Sequence, residues 1–278
     1  MLLRFTKMHG LGNDFMMVDL ISQKASLYPA LIQELSDRRK GIGFDQLLTV
    51  SPPQNPELDF RYTIYNSDGS EAEQCGNGAR CFLRFVRDQG LTTKSEIRVE
   101  TNTGEIRCRL ERDGNITVNM GQPVLQPSRI PFVADSPQIT YQLDLGESCN
   151  PVEIGAVSMG NPHAVLQVAD VANTAVETIG PKVQASSRFP EGVNVGFMEV
   201  IDRESIRLRV YERGVGETKA CGSGACAAVV AGRLQGLLDE TVKVSLTGGD
   251  LAVTWQGDES PVSMTGPACR VYEGRLQI

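Results

Sequence analysis

The stretch YNSDGSEAEQCGNGA, Tyr65 to Ala79, returns later in the chain as YERGVGETKACGSGA, Tyr211 to Ala225. Tyr65 matches Tyr211, Glu71 matches Glu217 and Cys75 matches Cys221, as do the glycines and the alanine that follow. The offset is 221 − 75 = 146. One matched Cys-Gly-x-Gly alone would be a weak signal. Two more blocks keep nearly the same spacing. Gly12-Asn13-Asp14 matches Gly160-Asn161-Pro162 at 160 − 12 = 148, and GIGFDQLL (Gly41 to Leu48) matches EGVNVGFM (Glu191 to Met198), with Gln46 and Asn194 again 148 apart. Three blocks in one order at nearly one spacing indicate two homologous halves.

The motifs place the first half at 1–121 and the second at 122–264. The prolines Pro123, Pro127 and Pro131 between them read as a linker. The closing residues, Ala268 to Ile278, are open to either half on the motifs alone; 265–278 are assigned to the first. Each half opens its central motif with a strand, Asp59 to Tyr65 and Ser205 to Tyr211. A polar, glycine-bearing loop follows, then a helix that begins at the cysteine and stops near Gly90 or Gly236. The second helix, Ala225 to Ala231, has no polar side and is expected to be buried. Short β segments follow: Glu96 to Thr101, Glu105 to Leu110 and Ile116 to Met120, then Val242 to Leu246 and Leu251 to Trp255. The expected fold is α+β: two homologous domains related by pseudo-twofold symmetry. Each is a mostly antiparallel or mixed β-sheet rolled around one central helix, with the active site in the cleft between them.

Composition narrows the function classes. With 278 residues, 41% of them hydrophobic and 22% charged, the chain can bury a sizeable core. Its 27 Lys and Arg against 34 Asp and Glu give a net charge of −7, and no basic stripe speaks for nucleic acid. The group Asp37-Arg38-Arg39-Lys40 reads as a solvated helix end. No apolar run reaches the ~18 residues of a membrane span. The opening MLLRFTKMHGLGNDF is too often interrupted by polar residues to be a signal core, so a cytoplasmic location is expected. Seven cysteines, an odd number at low density, argue against a disulfide framework, and two distant histidines without a CxxC pair argue against zinc. Most of these thiols are expected to be small buried hydrophobes.

Cys75 and Cys221 stand apart because each lies where a helix begins. Unpaired N–H groups and partial positive charge there favour a thiolate and are expected to lower its pKa. The adjoining glycines let a carboxylate approach the same N–H groups. Two such helix starts could hold one substrate carboxylate with a thiol on each side of its α-carbon. One thiolate would remove the α-proton while the opposite thiol delivers another, inverting the centre. No lysine-bound pyridoxal motif stands out. The helix N-termini would have to stabilise the developing enediolate, and water exclusion would strengthen them.

Other readings stay in view. Cys75 and Cys221 could be core residues at tight turns. Gly222 to Ala227, GSGACA, matches a dinucleotide-binding fingerprint, but about ten polar residues separate it from the strand that should run directly into it. A two-lobed, non-catalytic binder of small amino acids would keep the anion sites and leave the paired thiols without a purpose.

These motifs, with KMHGLGNDF, GNPHAV and EGVNVGF, resemble those of the diaminopimelate epimerase family across nearly the whole chain. That family interconverts L,L- and meso-diaminopimelate on the way to lysine and peptidoglycan, without a cofactor or metal. YERGVGETKACGSGAC separates it from the proline racemase relatives, which share the fold and the cysteine pair. The resemblance implies that Cys75 and Cys221 are the acid–base thiols. It implies that Gly76, Asn77, Gly222 and Ser223 present N–H groups to the reacting carboxylate, and that Asn13, Gln46 and Glu212 surround the reacting amino group. Asn66, Asn161, Asn194 and Arg213 would hold the distal centre. His163 and Glu212 would tune Cys75 and Cys221 respectively. The family is a homodimer, and Tyr272 resembles its dimer-contact tyrosine. Taken singly, each residue also has an ordinary reading. The asparagines suit turns, His163 a satisfied core position, and Glu212-Arg213 a surface ion pair.

Overall fold

The structure, a computed structural model, describes residues 2–72, 75–146 and 151–278. Cys149 lies outside the described residues. The chain forms two compact units, one of residues 1–119 with 265–278, the other of residues 120–264.

The first unit begins with β1 (Leu2–Gly10) and β2 (Asn13–Asp19), an antiparallel pair. Helix α1 (Pro29–Ser36) leads to β3 (Gln46–Ser51), which runs parallel to β2. The end of α1 at Ser36, with Asp37 as C-cap, agrees with the helix end read at Asp37 to Lys40. A parallel return needs a crossover, and α1 supplies it by burying Leu31, Ile32 and Leu35. Strand β4 (Phe60–Asn66) pairs antiparallel with β3 and with the short β5 (Glu71–Ala72). Helix α2 (Gly76–Asp88) then crosses to β6 (Glu96–Thr101), parallel to β4, and β7 (Gly104–Leu110) and β8 (Ile116–Asn119) follow as a meander. Helix α2 packs against β1, β2, β3, β7 and β8, so the sheet wraps it.

The second unit repeats the plan. After β9 (Tyr141–Leu143) come antiparallel β10 (Val152–Ser158) and β11 (Pro162–Gln167), then α3 (Val176–Gln184). Strand β12 (Asn194–Asp202) is parallel to β11, β13 (Ser205–Glu212) antiparallel to β12, and β14 (Gly216–Thr218) antiparallel to β13. Helix α4 (Gly222–Leu234) crosses to β15 (Thr241–Leu246), parallel to β13, which pairs with β16 (Gly249–Thr254). Register carries the repeat to single residues: Phe15 pairs with Gln46, and His163, 148 positions on, pairs with Asn194.

Both central helices end in the same way. Gly90 and Gly236 take φ of 69° and 72°, a conformation that glycine adopts without penalty. The N–H groups of Leu91 and Leu237 reach back to the carbonyls of Val86 and Gly232, closing Schellman motifs. Helix α4 buries Ala225 through Gly232 without a break.

The stretch after residue 121 is not the linker that its prolines suggested. Val124 bridges Ser158, and Ile130 and Phe132 enter the second unit's core beside Tyr141 and Phe189. Burying side chains of this size stabilises by roughly 1.5–3 kcal/mol each, enough to bind the segment to its unit. After β17 (Ser263–Gly266), strand β18 (Cys269–Gln277) pairs antiparallel with β1 in the first unit.

Candidate active site

In the first unit, Cys75 takes an extended backbone (φ −139°, ψ 110°) and caps α2, its Sγ accepting the Gly78 N–H at 3.4 Å. Gly78 must be glycine, because a Cβ there would lie 2.3 Å from the Tyr62 hydroxyl. The Cys75 thiol also meets Asn13 Oδ1 at 3.6 Å, and the same oxygen accepts the Asn77 amide at 3.3 Å. Asn13, Cys75 and Asn77 are thus gathered at one helix start, with Gly76 buried between the last two. Gln46 and Asn66 form a second pair, donor nitrogen to acceptor oxygen at 3.1 Å, across facing positions of β3 and β4.

Two supports here were not foreseen. Arg80 is fully buried and donates to Asn77 Oδ1 at 2.9 Å and to the Pro267 carbonyl at 3.2 Å. Arg38, exposed just past the end of α1 as the sequence suggested, also grips both Asp14 oxygens at 2.9 and 2.8 Å and reaches Asp45. Burial alone would raise the Asp14 pKa. Hydrogen bonds from Arg38 and Lys7 reverse this and hold its carboxyl well below the usual range. Asp45 in turn accepts the Asn13 amide at 3.0 Å, fixing the asparagine that meets Cys75.

In the second unit, Cys221 caps α4 with the same extended backbone (φ −115°, ψ 106°). Its Sγ lies 3.2 Å from Glu212 Oε2 and 3.6 Å from the Ser223 hydroxyl, while the Thr218 hydroxyl donates to Glu212 Oε1. The expectation of a lowered thiol pKa fails at this position. Burial first, and the Glu212 carboxylate second, push the Cys221 thiol well above its ordinary value. The Ser223 hydroxyl and the Gly224 N–H pull the other way without prevailing. At neutral pH Cys221 therefore carries its proton, with a carboxylate beside it able to accept one. Nor is Glu212 the partner of Arg213 in a surface ion pair, since its oxygens are turned to Thr218 and Cys221.

Asn161 and His163 meet through Oδ1 and Nε2 at 3.0 Å, so Nε2 donates and Nδ1 is left as a buried acceptor with no partner among the described atoms. Desolvation, and then the nearby Arg213 charge, lower the His163 pKa to about 3. The unfolded chain, near 6.5, binds a proton over the interval between. Stability from this group is therefore complete above pH 6.5 and is lost as pH falls toward 3. Unfolding free energy between pH 6 and 5 is expected to fall by up to about 1.4 kcal/mol more per unit in the wild type than in His163→Asn. Parallel denaturant titrations of the two proteins would contradict this.

Asn194 is buried; its Oδ1 accepts the Arg213 backbone N–H at 2.8 Å and its amide reaches the Pro162 carbonyl at 3.4 Å. The exposed Arg213 side chain crosses Gly192, where a Cβ would come within 2.8 Å of it, and reaches the Glu191 carbonyl at 2.6 Å. Tyr272 is 44% exposed on β18, its ring edge against Phe5. Among the remaining cysteines, Cys81, Cys108 and Cys226 are buried as expected, and Cys269 is exposed. Among the described residues, no group of three or more His, Cys, Asp or Glu side chains is placed to hold a metal, and no helix is long and apolar enough to cross a membrane.

Solved structures share this fold. A hydroxyproline epimerase from Agrobacterium vitis aligns over 99% of this chain and 92% of its own, at 15% identity and a TM-score of 0.71. A phenazine biosynthesis protein of the PhzF family from Bacillus anthracis aligns over 100% of both chains, at 15% identity and a TM-score of 0.70. The class is therefore that of two-unit α+β chains with one wrapped helix in each unit, here with a cysteine at both helix starts. Within it, the family model for diaminopimelate epimerase matches residues 5–126 and 155–271. A diaminopimelate epimerase from Ectopseudomonas mendocina (strain ymp) is 58% identical over 279 residues, covering 100% of each chain. The chain belongs to the diaminopimelate epimerase family.

Proposed function

We propose that this protein interconverts L,L- and meso-diaminopimelate, with Cys75 and Cys221 as a thiolate–thiol pair acting at one α-carbon and no pyridoxal phosphate. The observation that carries the reading is Glu212 at 3.2 Å from the Cys221 thiol, at the start of α4, with Cys75 at the matching start of α2. A raised thiol pKa suits a group that must hold a proton until the α-carbon takes it, and the adjacent carboxylate suits one that must give that proton up in the reverse direction. One thiolate accepts the α-proton, the electron pair passes into the substrate carboxylate, and the opposite thiol protonates the other face. The net result is one proton moved from thiol to thiol.

The N–H groups at the starts of α2 and α4 supply the charge stabilisation that an enediolate needs. In this reading Gly76, Asn77, Gly222 and Ser223 receive the reacting carboxylate, while Asn13, Gln46 and Glu212 receive the reacting amino group. Asn66, Asn161, Asn194 and Arg213 hold the distal centre, and His163 tunes Cys75. The two units act as the halves 1–121 with 265–278, and 122–264. The working form is a homodimer with Tyr272 in its contact, in the cytoplasm, where thiols stay reduced.

The test is isotope exchange. Reduced protein incubated with L,L-diaminopimelate in D2O, without pyridoxal phosphate, is expected to place deuterium at the α-carbon with inversion, followed by NMR. Exchange with proline but not diaminopimelate would keep the chemistry and discard the substrate. No exchange with any amino acid would leave the binding-protein reading.

A further inference from the structure

Glu212 closes β13 and Thr218 closes β14, two antiparallel strands joined by a tight turn. Register sets Thr218 opposite Val210 and Gly216 opposite Glu212. Residues two apart on a strand share a face, so Thr218 and Glu212 are diagonal neighbours on the same one. The contact that results divides the carboxylate. The Thr218 hydroxyl donates to Oε1, and Oε2 faces the Cys221 thiol at 3.2 Å.

We propose that Thr218 is a positioning residue for the Glu212–Cys221 pair, holding one carboxylate oxygen so that the other stays aimed at the thiol. The proposal rests on the reading of Cys221 as an acid–base thiol. Thr218 itself keeps its proton throughout. When Cys221 acts as the base, its resting proton first passes to Glu212 Oε2, the thiolate then takes the α-proton, and Glu212 releases its proton to solvent; when Cys221 acts as the acid, its own proton goes to the α-carbon and Glu212 takes none.

The duplication provides an internal comparison. Glu212 and Thr218 correspond to Asn66 and Ala72, at 212 − 146 and 218 − 146. Ala72 pairs with Ile64 as Thr218 pairs with Val210, so the backbone is repeated and the chemistry is not. Asn66 turns to Gln46 and Ser70 instead. The matching positions of the first unit, Asn66 and Ala72, carry no divided carboxylate.

Few charges compete for Glu212. Glu217, also on β14, points to the opposite face and pairs with Arg209 of β13, which also feels Glu177 of α3. Elements β12 and α3 bring the neutral amides of Asn194 and Gln184 to the backbone of Arg213 and Tyr211. The start of α4 brings Cys221 and Ser223. The Arg213 guanidinium is exposed and donates to the Glu191 carbonyl.

Without the Thr218 donor Oε1 is no longer held, and Oε2 is free to turn away from the thiol. For Thr218→Val, kcat/KM for diaminopimelate at neutral pH is expected to fall about tenfold, through kcat with KM little changed. Thr218→Ser should restore kcat. Thr218→Ala serves in place of valine if the latter fails to reach the wild-type melting temperature. An unchanged kcat, or a serine variant no better than valine, would overturn the positioning role while leaving a wild type active on diaminopimelate. A wild type inactive on diaminopimelate overturns the functional reading and this proposal with it.

Discussion

Cys75→Ser and Cys221→Ser are each expected to lower kcat/KM for diaminopimelate epimerisation by about 10³-fold or more. General acid–base groups contribute about 10²–10⁴, and a hydroxyl is far too weak an acid to share a proton with the opposite thiol. Both cysteines are N-caps, and serine is among the best N-cap residues. The helix starts should therefore survive, and the melting temperature should change little. This separates chemistry from the reading in which both cysteines merely fill tight turns. Cys269→Ser, at an exposed position on β18, is the control and should behave as wild type. Either serine variant at more than a tenth of wild-type turnover, measured by NMR of both stereoisomers, would remove that thiol from the mechanism.

Arg213→Ala is expected to lower kcat/KM by about 10²-fold or more, mainly through KM. Removing one partner of a paired charge at a recognition site costs about 2–5 kcal/mol, and about 1.4 kcal/mol is tenfold. The fold should be unaffected, because Asn194 holds the Arg213 backbone rather than its side chain. Arg213→Lys should recover only part of the loss, since an ammonium cannot present the planar fork that suits a carboxylate. An alanine variant with unchanged kcat/KM would place the distal carboxylate elsewhere.

The features legible in the sequence were those set by local chemistry. Cysteine before Gly-x-Gly marked both helix starts, and Gly90 and Gly236 marked both ends because few other residues adopt that backbone. The unbroken small and apolar run of α4 foretold its burial. What stayed hidden depends on partners distant in sequence. Arg80 is fully buried, and only the fold brings the Pro267 carbonyl to it across 187 positions. The Thr218–Glu212 contact needs the register of a three-residue turn, whose only outward sign was the glycine pair Gly214 and Gly216. The pKa of Cys221 went the opposite way because a helix-end argument omits both desolvation and the carboxylate at its side. The prolines after residue 121 suggest a linker, but the apolar Ile130 and Phe132 beside them draw the segment into a core.

The pairing of β18 with β1 bears on the order in which the protein takes shape during synthesis. Lys7 lies opposite Tyr272, so strand partners are 272 − 7 = 265 positions apart. Residues 120–264 form one continuous unit between them. On the ribosome that unit can complete itself while β1 still lacks a neighbour on one edge. An open edge is a template for pairing with the wrong chain, and so distant a closure is slow. The first unit, whose residues 1–119 emerge ahead of the second unit, waits for 265–278 and is the one that finishes last.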